Sequence, residues 1–411
     1  MSRHRVDRGS RRAVQMSSPR WRSCASSALQ ESRTVPSQNE PFTLRCKVSK
    51  FTLYPRRKHP PKEGSYDRRD ELLLGQTAPS QKSWLTQETG SGDAMIAAQP
   101  NYEGVIVTVD LSDLKNRSVL VTGATGMQGG SVARNLSRGG ASVSALVRDP
   151  RSEAAVELEK SGIRLIEGDL EDSFSLRAAC AGHDSVFSVQ LAPSPVNPTS
   201  ERDQANNLIT AARDSNVAHF VHSSVSGTGW RKSHPEATSG GTDAYWDSKE
   251  AVEDAVRSAG FPVWTILKPA FFMENFVAPK VAHMFPFLSR GEIVVACGIT
   301  TPLAMVSGDD FGKAVATVVA DPARFAKAEI ELSSTALSFA EIADTYGDVT
   351  GVRTKACSAS PHEIEERLGH RYWSGMQIWL DAVGYPARPE HAAAYGIDIG
   401  TSLRDWLSSH Q

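Results

Sequence analysis

From Ser118 onward, apolar residues arrive in short unbroken runs, separated by stretches in which they recur every three or four positions. "SVLVTG" opens the series as a strand. Gly126 to Arg138 follows as a helix with Val132, Ala133 and Leu136 on one face, closed by Gly139-Gly140. "ASVSALVRD" is the second strand, before a helical 151–161, and "IRLIEGD" is the third, with Asp172 as N-cap of a helix through Ala181. "DSVFSVQ", "AHFVHSS" and "PVWTILKP" supply the fourth, fifth and sixth strands, with helices over 200–215 and 245–259 between them. Strands this uniformly apolar are covered on both faces, and their alternation with helices predicts a parallel sheet. Right-handed crossovers make that sheet doubly wound and put its ligand crevice at the strands' carboxyl ends.

The pattern changes on either side of this block. After the sixth strand, "AFFMENFVAPKVAHMFPFLSRGEIVVACG" is dense in Phe and Met. Such residues usually build cores. Here they follow a strand's carboxyl end, which makes Phe271, Phe272, Met273 and Met284 candidates to line an apolar substrate pocket. Residues 305–322 read as a turn capped by Asp309 or Asp310 and an apolar helix returning to the sheet. Residues 330–411 hold one more strand, "EIELSS", and several helices without recognisable chemistry. Before Ser118 there is little periodicity and much Arg, Ser, Pro and Gln, a composition that cannot bury enough apolar area to offset its ordering entropy. The expected division is a disordered basic extension or leader over 1–115, a nucleotide-binding domain over 116–270 and a smaller substrate lobe over 271–411.

Charge sharpens that division. The formal net charge of −2 conceals +11 over residues 1–70 and −13 over the remainder. An acidic core argues against nucleic acid as a partner. The first thirty residues, rich in Arg and Ser with Asp7 as their one acid, have the composition of a mitochondrial transit peptide or of a plain basic tail. "YPRRKHPPK" at 54–62 is a short basic patch. Cys24, Cys46, Cys180, Cys297 and Cys357 are odd in number and lack metal-ligand spacing, which fits a reducing compartment. No run approaches eighteen apolar residues. The expectation is a soluble cytoplasmic protein, mitochondrial if the leader reading holds, with no membrane contact.

The chemistry sits at the first strand's end. Gly123, Gly126 and Gly129 form G-x-x-G-x-x-G directly after a strand and opening a helix, with Ala124, Thr125, Met127 and Gln128 between them. Glycine allows the tight turn, lets backbone N–H groups approach a pyrophosphate and packs the helix close to the sheet. The helix N-terminus adds partial positive charge. Dinucleotide binding follows. At the second strand's end, where an acid would grip a ribose 2′-hydroxyl, this chain has Arg148; a guanidinium there suits a 2′-phosphate and favours NADP(H) over NAD. The alternative is a salt bridge from Arg148 to Asp149 or another surface acid. Asp169, after the third strand, is placed to accept from an adenine amino group or to cap a helix.

"VTGATGMQGGSVARNL", "ALVRDP", "IEGDLED", "YWDSKEAVEDAVRSAG", "LKPAFFMENF" and "YGIDIGTSLRDWL" together resemble the NmrA-like branch of the atypical short-chain dehydrogenases/reductases, over residues 117–410. The resemblance implies a Rossmann-type domain with a smaller, mostly C-terminal substrate lobe, and NADP(H) as cofactor. It implies that Gly123 to Gly129 cradle the pyrophosphate, Arg148 meets the 2′-phosphate, and Asp169 and Leu170 flank the adenine. Gln190 approaches the nicotinamide side, where the family usually carries other residues. Lys249 reaches the nicotinamide ribose, and Phe272 to Asn275 line the cofactor's far end.

Short-chain dehydrogenases use a Tyr as general acid/base, a Lys four residues later and a Ser after the preceding strand. This chain has Tyr245 and Lys249 at that spacing on one helix face, and Ser223 and Ser224 after the fifth strand. Tyr245 follows the glycine-rich "TSGGTDA" and so falls at a helix start; an ordinary half-buried aromatic is the alternative. His222 reads as a core histidine and His234 as a loop residue, and neither joins a metal pattern. The sequence thus points to an NADP(H)-dependent oxidoreductase acting on a small apolar carbonyl, quinone or enone. The alternative is an NADP(H)-binding redox sensor that acts through a regulatory protein partner.

Overall fold

The computed structural model describes residues 110–410, apart from 195 and 369–371. The expectations for residues 1–109, including Cys24, Cys46 and both basic segments, lie outside the described residues.

Seven parallel strands form the main sheet: β1 (Ser118–Val121), β2 (Ser142–Val147), β3 (Arg164–Glu167), β4 (Ser185–Ser188), β5 (His219–Ser223), β6 (Val263–Pro269) and, from far along the chain, β10 (Ala328–Leu332). Their order is β10-β6-β5-β4-β1-β2-β3, so the direction of winding reverses between β1 and β4. Period-two alternation divides the side chains between two cores. Val119 and Val121 point to one face with Phe187, Val221 and Ile330. Leu120 points to the other with Val186, Phe220 and Ile266. The first face is covered by α1 (Met127–Arg138), α2 (Glu153–Lys160) and α8 (Gly308–Ala320). The second is covered by α3 (Ser173–Cys180), α4 (Ser200–Asp214) and α6 (Asp243–Ser258). The doubly wound architecture read from the sequence is therefore the observed one.

The seventh strand, "EIEL", is pinned by charge. Lys268 of β6 reaches Glu329 at 2.7 Å and Glu253 at 3.1 Å, and Arg257 of α6 reaches Glu329 at 2.6 Å. Those contacts hold the Glu329 carboxyl down to about 2 against its burial.

The second lobe is built from short pieces around aromatic side chains. β7 (Phe271–Phe272), β9 (Pro302–Val306) and β11 (Thr335–Ser338) make a three-stranded sheet, and β8 (Glu292–Val295) pairs with β12 (Lys355–Ser358). The one-turn α5 (Trp230–Ser233) and α7 (Val281–Met284), then α9 (Phe339–Thr350), α10 (Pro361–Leu368), α11 (Tyr372–Ala382), α12 (Pro389–Ala394), α13 (Leu403–Ser408) and three 3₁₀ helices (Leu111–Asn116, Met273–Phe276, Leu288–Arg290) complete the described chain. The first of the three lies in the stretch expected to be disordered and is ordered by Leu114, which is buried in the core. Two sequence expectations change here. Residues 330–411 carry β11 and β12 besides the "EIELSS" strand; four residues each are too short to show a period. Helix α8 is capped by neither Asp309 nor Asp310 but by Ser307, whose hydroxyl accepts from the Asp310 N–H. A serine oxygen reaches the N3 amide from the position before the helix, which the two aspartates inside the first turn cannot do.

Three histidines pin the main sheet from within. His183 lies 2.9 Å from the Ser144 hydroxyl, His219 3.0 Å from that of Thr265, and His222 3.2 Å from that of Ser188. Burial lowers all three, His219 and His222 to about 3. His219 and His222 are thus neutral when folded, while the unfolded chain takes up protons below about 6.5, so acidification costs stability at about 1.4 kcal/mol per pH unit per fully shifted group, and His183 adds in the same direction. Glu331, raised by burial to about 7, acts in the opposite sense between its ordinary 4.5 and 7, one group against three. Melting temperature is therefore expected to fall steadily from pH 6.5 to 5 in a scanning calorimeter; a flat profile would contradict the buried neutral histidines.

Candidate functional site

The mouth of the sheet lies where β1 and β4 part. Thr122, fully buried, donates its hydroxyl to the Phe187 and Val189 carbonyls (3.1 and 3.3 Å) and accepts from the Val189 N–H at 3.0 Å. That lashing fixes the start of the glycine turn. Gly123 has φ +61°, and a Cβ there would sit 2.8 Å from Val189 Cγ1. A Cβ on Gly129 would overlap the Gly123 carbonyl and stand 2.5 Å from the Thr122 oxygen. Helix α1 approaches the strand end closer than any side chain permits. Gly126 is its N-cap in extended conformation, without a side-chain cap, so the amides of Met127, Gln128 and Gly129 open toward the mouth with no intrahelical partner. Ala124 is buried, whereas Thr125 and Gly126 are exposed. This is a cradle that side chains would fill, and an anion at a helix N-terminus is what it suits.

Around the cradle, Arg148 directly follows β2, is exposed and makes no ion pair among the described residues. Its alternative partner, Asp149, is taken by Arg151, through the backbone N–H at 2.9 Å and the side chain at 3.3 Å. Asp169 spends one carboxylate oxygen on the Glu171 N–H (3.0 Å), and the neighbouring Leu170 carbonyl accepts from Asn207 (3.0 Å). The turn after β3 is thereby set, with the second Asp169 oxygen left over.

The carboxyl ends of β4 and β5 carry a buried polar chain. Gln190 donates to the Ser188 hydroxyl at 3.0 Å, which in turn meets His222; Gln190 Oε1 and His222 Nε2 are buried without partners in the structure. Burial, and after it the Lys249 charge, holds His222 neutral. Lys249 is itself buried and salt-bridged at 2.6 Å to Glu201, which is 1% exposed. Tyr245 lies in the first turn of α6, half-buried, its ring centroid 5.7 Å from the Lys249 ammonium and packed edge-on to Trp246. The Ser223 hydroxyl donates to Gln128 Oε1 at 2.8 Å, tying the glycine turn to β5. Lys249 and Tyr245 are thus brought together. Ser223 is joined to the cradle through Gln128.

The Phe- and Met-rich segment is placed otherwise than expected. Phe271 packs edge-on to Phe276 and Phe285 and tilted against Trp373, and Met273 has no exposure, so both are core residues of the second lobe instead of an open lining. Met284 borders a void of about 10 Å³ beside Phe285, Phe287 and Ile364, room for a single water. Phe272 packs edge-on to Phe311 of α8, and Asn275 is buried. A cleft of about 570 Å³ does reach the cradle at Met127, but its other walls include Arg134, Glu274, Asp309, Trp406 and His410. The last two come from the C-terminal stretch in which the sequence shows no chemistry.

The sequence profile of the NmrA-like family matches residues 115–379. The chain belongs to the NmrA-like family. It is 30% identical to the NmrA-like family domain-containing oxidoreductase malD of Malbranchea aurantiaca, over 72% of this chain and 97% of the relative. It is also 30% identical to an NAD(P)H azoreductase of Xenophilus azovorans, over 68% and 99%. Among solved structures, the NADPH-dependent quinone oxidoreductase QOR2 of Escherichia coli, complexed with NADPH, matches with a TM-score of 0.56 at 20% identity, over 71% of this chain and 99% of that one. The Citrobacter sp. triphenylmethane reductase complexed with NADP(H) matches with a TM-score of 0.57 at 22% identity, over the same shares. At these identities the structural likeness speaks for the fold.

Within this NmrA-like chain, sequence reasoning missed Glu201, the Gln128–Ser223 bond and the C-terminal wall of the cleft. Glu201 left one trace, an acid in the first turn of a predicted helix, which ordinarily signals only the helix dipole. Among the described residues no cluster of His, Cys, Asp or Glu could hold a metal ion, and no helix is long and apolar enough to cross a membrane.

Proposed function

We propose that this NmrA-like chain is an NADP(H)-dependent oxidoreductase that moves a hydride to or from a small apolar carbonyl, quinone or enone. The observation that carries the reading is the uncapped glycine cradle with an unpaired Arg148 beside it. NADP(H), when bound, supplies or accepts the hydride through its nicotinamide ring. The chain's own residues bind and orient. The amides of 127–129 receive the pyrophosphate, Arg148 the 2′-phosphate, and the free oxygen of Asp169 the adenine amino group, beside Leu170. Lys249 donates to the nicotinamide ribose, Gln190 stands at the nicotinamide side, and Phe272 and Asn275 back the cofactor's far end. Tyr245 is the proton donor or acceptor, and Ser223 holds the cradle through Gln128. The oxidoreductase names of the relatives agree with this reading.

The test is NADPH consumption by the full chain across a panel of quinones, enones and aromatic aldehydes. Turnover with at least one class is expected; tight NADPH binding without consumption would favour a sensor that acts through a protein partner. Tyr245→Phe is expected to lower turnover about 100-fold or more while leaving NADPH affinity within about twofold. Unchanged turnover would remove Tyr245 from the mechanism.

A further inference from the structure

The ion pair between Glu201 and Lys249 joins residues 48 positions apart, from the first turn of α4 and the middle of α6. Both side chains are nearly sealed, at 1% and 9% exposure, and Glu201 makes the one ion pair that Lys249 has among the described residues. Two neighbours of the ammonium carry no charge: His222 of β5 is held neutral, and Tyr245 of the same helix presents its ring. An ammonium has three N–H groups, and Glu201 Oε1 takes one of them. A long lysine stem has many rotamers, and an unanchored ammonium would spread among them. Glu201 has the opposite character: fully packed, on a helix, with the positive end of the α4 dipole supporting its charge.

Resting on the cofactor assignment above, we propose that Glu201 is a positioning residue. It holds the Lys249 ammonium in one orientation at the carboxyl ends of β4 and β5, with its other two N–H groups available to the hydroxyls of the nicotinamide ribose. The pair is neutral overall, which suits a diol, an uncharged group, and offers no second attraction to the phosphates. Glu201 acts through Lys249 alone, so its contribution to binding should vanish when Lys249 is absent.

A double-mutant cycle on the full chain tests this, read as the dissociation constant of NADPH by fluorescence titration and as melting temperature without nucleotide. Lys249→Met is expected to weaken NADPH about tenfold and Glu201→Gln about fivefold, with the double variant no weaker than Lys249→Met. Melting temperature should drop in Glu201→Gln and recover in part in the double variant, where no lone charge is buried. A Glu201→Gln protein that melts earlier yet binds NADPH within twofold of wild type overturns the proposal, since a merely structural glutamate behaves so. If Glu201→Gln does not fold, the double variant decides: affinity equal to Lys249→Met supports the proposal, and a further fivefold loss overturns it. Folded wild-type protein that binds no NADPH would overturn the cofactor assignment and this proposal together; wild-type binding with an indifferent Glu201→Gln overturns only the latter.

Discussion

Gly129→Ala is expected to abolish NADPH binding and to destabilise the protein by about 3 kcal/mol, a loss readable as a fall in melting temperature of several degrees. The added methyl would meet backbone, namely the Gly123 carbonyl and the Thr122 oxygen at 2.5 Å, and backbone cannot rotate away as a side-chain tip can. Thr122 is further locked to the end of β4 by its hydroxyl, so the strain cannot be passed to the strand. Helix α1 must then lift from β1, which loosens Val132 and Leu136 in the core and withdraws the amides of 127–129 from the mouth. Both effects come from one displacement and should appear together. A variant with wild-type stability and full NADPH affinity would refute the close approach as the basis of the cradle.

Arg148→Ala is expected to weaken NADPH about 30-fold and leave NADH within about twofold, because a charge-assisted bidentate contact is worth roughly 2 kcal/mol and NADH has no group to receive it. The residue is suited to this contrast. It is exposed and forms no ion pair among the described residues, so melting temperature should stay unchanged on its removal. Asp149, its nearest acid in sequence, is already bonded to Arg151. Parallel titrations with the two nucleotides decide the matter. Equal weakening of both would show that Arg148 does not read the 2′-phosphate.

The six strands from β1 to β6, the helices between them other than the one-turn α5, and the glycine turn at the first strand's end were legible in local pattern. Each of these follows from neighbours within a few residues: periodicity sets which face is buried, and a strand–turn–helix junction needs glycines at fixed positions. The spacing of Tyr245 and Lys249 was legible for the same reason, since four residues make one helical turn. Where functional side chains spend their hydrogen bonds was set by the folded chain. Nothing near Ser223 in the sequence announces that its hydroxyl donates a hydrogen bond to Gln128, 95 positions away. Lys249 looks like a free cation until Glu201 is found against it. Phe271 and Met273 have the composition of a pocket wall and become core: α11 brings Trp373 against Phe271, and both residues are enclosed in the second lobe's cluster. Local pattern tells a side chain which way to face, but its partner is chosen by packing between elements distant along the chain, and no local period encodes that choice.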